Sequence, residues 1–239
     1  FPTPAMDLVL LALPWTVGLL TFAVLITWTL GNIGGALSGY FPDSLLLKSV
    51  GIVFIGIQPI PYYIVAFLMV IVFGFLWPIL PISGGFAMNV RPGLTWQFAL
   101  SVAQHAVLPS LSLVLAGIGA WFLGMRSLVS NIVTEDYVSF AKLAAVPDRT
   151  IVWHYVFRNA LLPQLTALAM VLGSIFSGTI ITEEVFGYPG LGSLLVNAVN
   201  NGDTGVVLAI SCVSIVAVAA AIFIIDIFQP LLDPRIRTE

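Results

Sequence analysis

Few side chains in this chain are equipped for chemistry, and they fall in a handful of places. Residues 134–149 hold Glu135, Asp136, Lys142, Asp148 and Arg149 in one polar, helix-compatible stretch. Glu183 and Glu184 form an acidic pair ahead of Phe186, Tyr188 and the dipeptide Pro189-Gly190. Gln58, Gln104 and His105 are isolated polar groups within, or at the ends of, apolar runs. None of these patterns belongs to a known catalytic device. A phosphate-binding loop of the form Gly-x-x-x-x-Gly-Lys-Ser/Thr is excluded, because neither Lys48 nor Lys142 follows a glycine. Gly-x-Ser-x-Gly, His-Glu-x-x-His and paired aspartates within apolar runs are also missing, which argues against a hydrolase. His105 has no second His or Cys at ligand spacing, so neither a metal nor a cofactor is expected on this chain.

The elements available to position these groups are apolar helices. The chain has 239 residues, of which 59% are hydrophobic and 8% charged, with a mean hydropathy of +1.09. A soluble domain of this length has no way to hide so much apolar surface. The formal net charge of -3 is too small to suggest nucleic acid or an anionic surface as partner. The single Cys212 rules out a disulfide within the chain and reads as a buried, inert thiol.

Five apolar runs, at about 8–31, 50–77, 98–125, 157–182 and 206–229, are long enough to cross a bilayer core. They are continuous rather than alternating, which favours an all-α polytopic membrane protein over a barrel. The connections are 32–49, 78–97, 126–156 and 183–205. Alternating the spans places Lys48, Arg126, Lys142, Arg149, Arg158, Arg235 and Arg237 on one side and leaves Arg91 on the other. The cation-rich side is then cytoplasmic, the C-terminus is inside and Phe1 is outside. With neither an initiator methionine nor a signal peptide at Phe1, one further N-terminal span is expected to precede it.

Pro14, Pro59, Pro61, Pro109 and Pro163 fall in the spans and can kink them. Gly31, Gly35 and Gly39 recur at the spacing that permits close approach of two helices. Gln58, Gln104 and His105 either line a polar path or hydrogen-bond between helices, and the sequence allows both. His154 reads as a cytoplasmic residue near the membrane. Asp226, near the inner end of the last span, reads as paired or interfacial.

The cytoplasmic loop carries the sharpest pattern. Thr134, with Glu135 and Asp136 behind it, makes a helix start whose acids favour the positive end of the dipole. Tyr137, Phe140, Ala141 and Ala144 follow at three- and four-residue intervals, predicting one apolar face. Pro147-Asp148 ends this helix and another begins near Thr150. So short an amphipathic helix needs a groove on a partner or the bilayer surface.

The order Glu135-Asp136-Tyr137-Val138, Ala141-Lys142, then Arg158-Asn159-Ala160-Leu161-Leu162-Pro163 resembles the cytoplasmic EAA loop of ABC-importer permeases. More narrowly, it resembles the first permease subunit of the dipeptide, oligopeptide and nickel family. Leu108-Pro109-Ser110-Leu111, Glu184-Val185-Phe186-Gly187-Tyr188-Pro189-Gly190-Leu191-Gly192 and the closing Leu232-Asp233-Pro234-Arg235-Ile236-Arg237 are similar to the same subunit. The chain departs from the family at Ala145, where members place a glycine in the loop's turn. Alanine would strain a turn of positive φ, so the helix is expected to run on into Pro147.

The resemblance implies a single permease domain over residues 1–239, in the cell membrane of a prokaryote. Its coupling loop would span about 126–156 and its external loop about 183–205. Glu135, Asp136, Tyr137, Phe140, Ala141, Lys142, Ala144, Ala145, Arg158, Asn159 and Pro163 would belong to the loop that meets an ATPase. Gln58, Gln104, His105, Glu183, Glu184, Phe186 and Tyr188 are candidates for the translocation path. The implied partners are a second, similar permease, two ATPase subunits or domains that bind ATP and Mg, and an extracytoplasmic binding protein. The implied cargo is peptide, with oligosaccharides and nickel chelates as alternatives. A proton-coupled carrier would want more acids within its spans.

Overall fold

The computed structural model describes residues 4–173 and 180–232. Among these the chain is helical, with no strand. α1 is Ala5–Tyr40, α2 Leu45–Ile57, α3 Tyr62–Leu76 and α4 Trp96–Ile132. The short α5, Asp136–Leu143, follows. α6 begins with Asp148–Thr150, is π-wound through Ile151–Phe157 and continues as Arg158–Gly173. α7 is Ile180–Val185, α8 Leu191–Asn200 and α9 Thr204–Leu232. Four of the described helices are long and apolar enough to cross a membrane, and five spans result if the interrupted α2–α3 pair counts as one. Side chains such as Leu11 and Val216 stand about two-thirds exposed on them, as expected of surfaces meant for lipid. Residues 174–179 of the expected fourth span, residues 233–237 of the family-like tail and the Asp226 side chain lie outside the described residues.

Two span boundaries differ from expectation for identifiable reasons. The run expected to end near Gly31 continues to Tyr40, so the glycine-rich connection is helical. Each glycine weakens a helix by about 1 kcal/mol relative to alanine, yet here the glycines are used for packing. A Cβ at Gly31 would lie 2.6 Å from Trp121 Cβ, and one at Gly39 2.8 Å from Val129 Cγ1. Gly35 abuts the Phe122 carbonyl. The helix–helix approach expected from the spacing is therefore present, against α4. The second span, expected as one run over 50–77, is broken between Ile57 and Tyr62. Pro59 and Pro61 lack backbone donors, and Pro61 becomes the residue that opens α3.

The described residues pack into two compact units. One draws on residues up to Val24, Ile60–Val114 and Leu172–Phe223. Its cores gather Val9 and Ala12 with Leu191, Ala198, Val206 and Ile210, and Leu19 with Ala66, Leu108, Phe186 and Tyr188. The other draws on Leu25–Pro59 and Leu115–Val171. Its core joins Ala36 and Tyr40 of α1, Met125 and Val129 of α4, Val138 and Ala141 of α5, and Ile151, Val152, Val156 and Ala160 of α6.

Candidate functional site

α5 is held on the second unit by two small side chains. Val138 is fully buried and Ala141 nearly so, both in the core just described. On the opposite side Phe140 is 69% exposed and Leu143 83%. Tyr137 is partly exposed, and Ala144, Asp136 and Lys142 are exposed. The expected grouping of Tyr137, Phe140, Ala141 and Ala144 on one face is thus corrected at one position. Ala141 belongs to the inward face, and Leu143 completes the outward apolar one. The sequence offered the signal for Leu143, which lies three residues after Phe140 and one before Ala144.

The start of α5 also differs from expectation. Glu135 occupies the cap position and makes no side-chain cap bond. The Thr134 hydroxyl instead donates back to the Asn131 carbonyl at 2.7 Å, closing the end of α4. Asp136 in the first turn and Lys142 in the last still complement the helix dipole.

α5 does not run into Pro147. Ala145 takes φ 55, the one positive value among described residues other than glycine. The Val146 N–H reaches the Ala141 carbonyl at 3.1 Å and the Ala145 N–H reaches that of Lys142 at 3.0 Å. This is the left-handed helix stop that glycine normally fills. Val146 packs against the same core as Ala141, which anchors the turn. The expectation of an unbroken helix fails because that buried contact, with the two hydrogen bonds, outweighs the strain at alanine.

Asn159 ties the far side of the loop to α5. Its Nδ2 donates to the Tyr137 hydroxyl at 2.9 Å and to the Tyr155 carbonyl at 2.7 Å. Arg158 is exposed beside it, and Pro163 lies inside α6.

In the first unit, Glu183 is fully buried while Glu184 is exposed. Glu183 Oε1 accepts from the Thr16 hydroxyl at 2.7 Å, and Oε2 accepts from the Gly192 N–H at 2.7 Å. Thr16 Oγ1 in turn accepts from the Leu191 N–H at 2.8 Å. The carboxylate therefore serves the N-terminus of α8, where the helix dipole favours an anion. Burial nonetheless pushes the Glu183 carboxyl above its usual range, against the lowering effect of Thr16, Gly192 and Ser193. The Tyr188 phenol is pushed up to about 12, first by burial and then by the Glu183 charge. Gly190 and Gly192 are required by this packing, since a Cβ at Gly192 would lie 2.6 Å from Ile180 Cα and one at Gly190 would strike the Glu183 carboxylate. Thr16 was not legible as a partner in the sequence, because an isolated threonine in an apolar run carries no pattern.

Phe186 and Tyr188 are buried in that unit, with Trp15 edge-on to Tyr188 at 5.6 Å between centroids. Tyr188 also lines an open apolar cavity of about 1120 Å³, with Trp15, Phe22, Trp96 and Phe98. His105 Nδ1 lies 2.8 Å from the Ser101 carbonyl one turn back in its own helix, and Gln104 is exposed. Gln58 belongs to the second unit, at the end of α2 with its Cβ against Gly119.

A family model described as the binding-protein-dependent transport system inner membrane component matches residues 31–238. The chain belongs to that family. It is similar to a dipeptide transport system permease protein of Bacillus subtilis (strain 168), 30% identical over 154 residues. That match covers 64% of this chain and 49% of the relative. An oligopeptide transport system permease protein of the same organism is 26% identical over 236 residues, 98% of this chain and 73% of the relative. A putative peptide transport system permease protein of Brucella abortus (strain 2308) is 29% identical over 228 residues, 95% and 70% of the two chains. The chain thus spans about half of the first of these relatives. With its apolar helices, it is a multi-pass membrane component of a transport system.

Proposed function

We propose that this chain is the permease subunit of an ATP-driven importer, forming half of a translocation path for peptides. α5 is the helix that docks on a cytoplasmic ATPase. The observation that carries this reading is the two-sided character of α5. Its inner face is locked into the chain's own core, while Phe140 and Leu143 stand out from a charged loop with nothing among the described residues over them. Apolar side chains so presented are the usual anchors of a protein groove. The relatives' names support peptide as cargo.

ATP and Mg belong to partner ATPase subunits, and a second permease completes the path. An extracytoplasmic binding protein delivers cargo. The cation pattern puts Lys48, Arg126, Lys142, Arg149 and Arg158 on the cytoplasmic side of a prokaryotic cell membrane, with the C-terminus, and Arg91 opposite. Tyr188, Glu184 and Gln104 are assigned to the cargo path, and Glu183 and Phe186 hold the external loop in place. The test is uptake into liposomes carrying the reconstituted permease pair and ATPases, with binding protein outside and ATP inside. ATP-dependent entry of labelled dipeptide is the expected result. Entry of an oligosaccharide or a nickel chelate in its place would overturn the cargo assignment.

A further inference from the structure

Tyr40 closes α1. Its ring is 8% exposed and sits in the core that also holds Val138 and Ala141. Its hydroxyl donates to Asp148 Oδ1 at 2.6 Å. Lys142 Nζ lies 5.2 Å from the centroid of the same ring. Lys142 is in the last turn of α5 and Asp148 opens α6, so the two bracket the turn at residues 144–147. One side chain of α1 therefore grips the chain on both sides of the turn that ends α5.

The grip uses interactions with direction. A phenol donating to a carboxylate is a short, charge-assisted bond, and an ammonium over an aromatic face is attracted by the ring's negative centre. The end of α1 is itself stiff, because Gly31, Gly35 and Gly39 bring its backbone against α4. Elements packed this closely shift as bodies rather than deform.

Resting on the reading of α5 as the docking helix, we propose that Tyr40 is a positioning residue that carries displacement of α5 into α1. When the ATPase moves α5 and, through the turn at residues 144–147, the start of α6, the Tyr40–Asp148 hydrogen bond makes the end of α1 follow. A role in core packing alone is separable from this. Tyr40→Phe keeps the ring, its burial and the contact with Lys142, and removes only the hydroxyl.

The experiment uses the whole importer in liposomes. It reads ATPase co-purification, basal ATP hydrolysis, and hydrolysis stimulated by the binding protein with casein-digest peptides. Tyr40→Phe and Asp148→Ala are expected to keep wild-type co-purification and basal hydrolysis. Stimulation should fall by about 5-fold or more, the lower end of coupling between distinct sites. The double variant should be no worse than either single, since both remove one bond. Asp148→Asn, whose amide oxygen still accepts from the hydroxyl, should restore stimulation. Wild-type stimulation in Tyr40→Phe, or loss of the ATPase from its complex, overturns the proposal. Phe140→Glu checks the underlying reading separately. If it loses the ATPase while Tyr40→Phe behaves as wild type, only the role of Tyr40 falls. If it keeps both ATPase and stimulation, α5 is not the docking helix and both readings fall.

Discussion

Ala145 shows how one residue sets the shape of the loop. An L-residue at φ 55 is strained by contact between its Cβ and the following carbonyl. Ala145→Gly relieves that contact without touching the two hydrogen bonds that close α5, and should stabilise the chain by about 1 kcal/mol. Denaturation in detergent micelles, followed by helical circular dichroism, reads this directly; a destabilised variant would show that the turn is not left-handed. Glu183 makes the opposite point, since its worth lies in what it satisfies. Glu183→Ala leaves the Gly192 N–H without its acceptor and the Thr16 hydroxyl without its own, in a fully buried place. Losing hydrogen bonds to a charged group should cost about 3 kcal/mol in the same measurement. Thr16→Val should reproduce part of the loss, and a stable Glu183→Ala would remove the carboxylate from the scaffold of the external loop. The acidic pair was visible in the sequence, but a solvated helix end and a buried cap look alike there. Only the return of α8 toward Glu183, eight residues after it, distinguishes them.

At the scale of the element, α5 separates two effects that a pattern of small and aromatic residues merges. Its existence was legible from the acids and the apolar spacing, whereas its stop at Leu143, ahead of Pro147, was not. Its inward face was not either, because Val138 and Ala141 are chosen by neighbours on other helices, including Ala36 and Tyr40 of α1 far away in sequence. The consequence is testable with one substitution at each face. Ala141→Glu inserts an unpaired charge into the chain's own core, which costs roughly a few kcal/mol and should lower the yield of folded permease. Ala144→Glu places the same charge outside, so the permease should fold normally and lose its ATPase. Size-exclusion profiles and ATPase co-purification distinguish the two. Identical behaviour would mean that the faces are wrongly assigned. The α2–α3 break carries the same lesson. Pro59 and Pro61 were read as kinks, yet two prolines flanking Ile60 leave too few backbone donors to continue the turn.

Over the whole molecule, the sequence was most informative about class, because unbroken apolar runs and a paucity of charge admit few alternatives to a membrane bundle. The proposed orientation rests on seven cations against one and on their resistance to translocation. In a Cys212→Ser background, Arg91→Cys should react with an impermeant thiol reagent from outside, whereas Lys142→Cys should react only after the membrane is opened. Cys212, expected to be buried, is instead exposed, so its removal is needed for a clean background. The central claim is that the outward face of α5 seats on an ATPase, and proximity tests it most directly. Single cysteines at Phe140, Leu143 and Val138 in the same background would be cross-linked to the co-expressed ATPase in native membranes. The account predicts adducts from Phe140→Cys and Leu143→Cys and none from Val138→Cys. Absence of adducts from both exposed positions, or equal yield from the buried one, would contradict it.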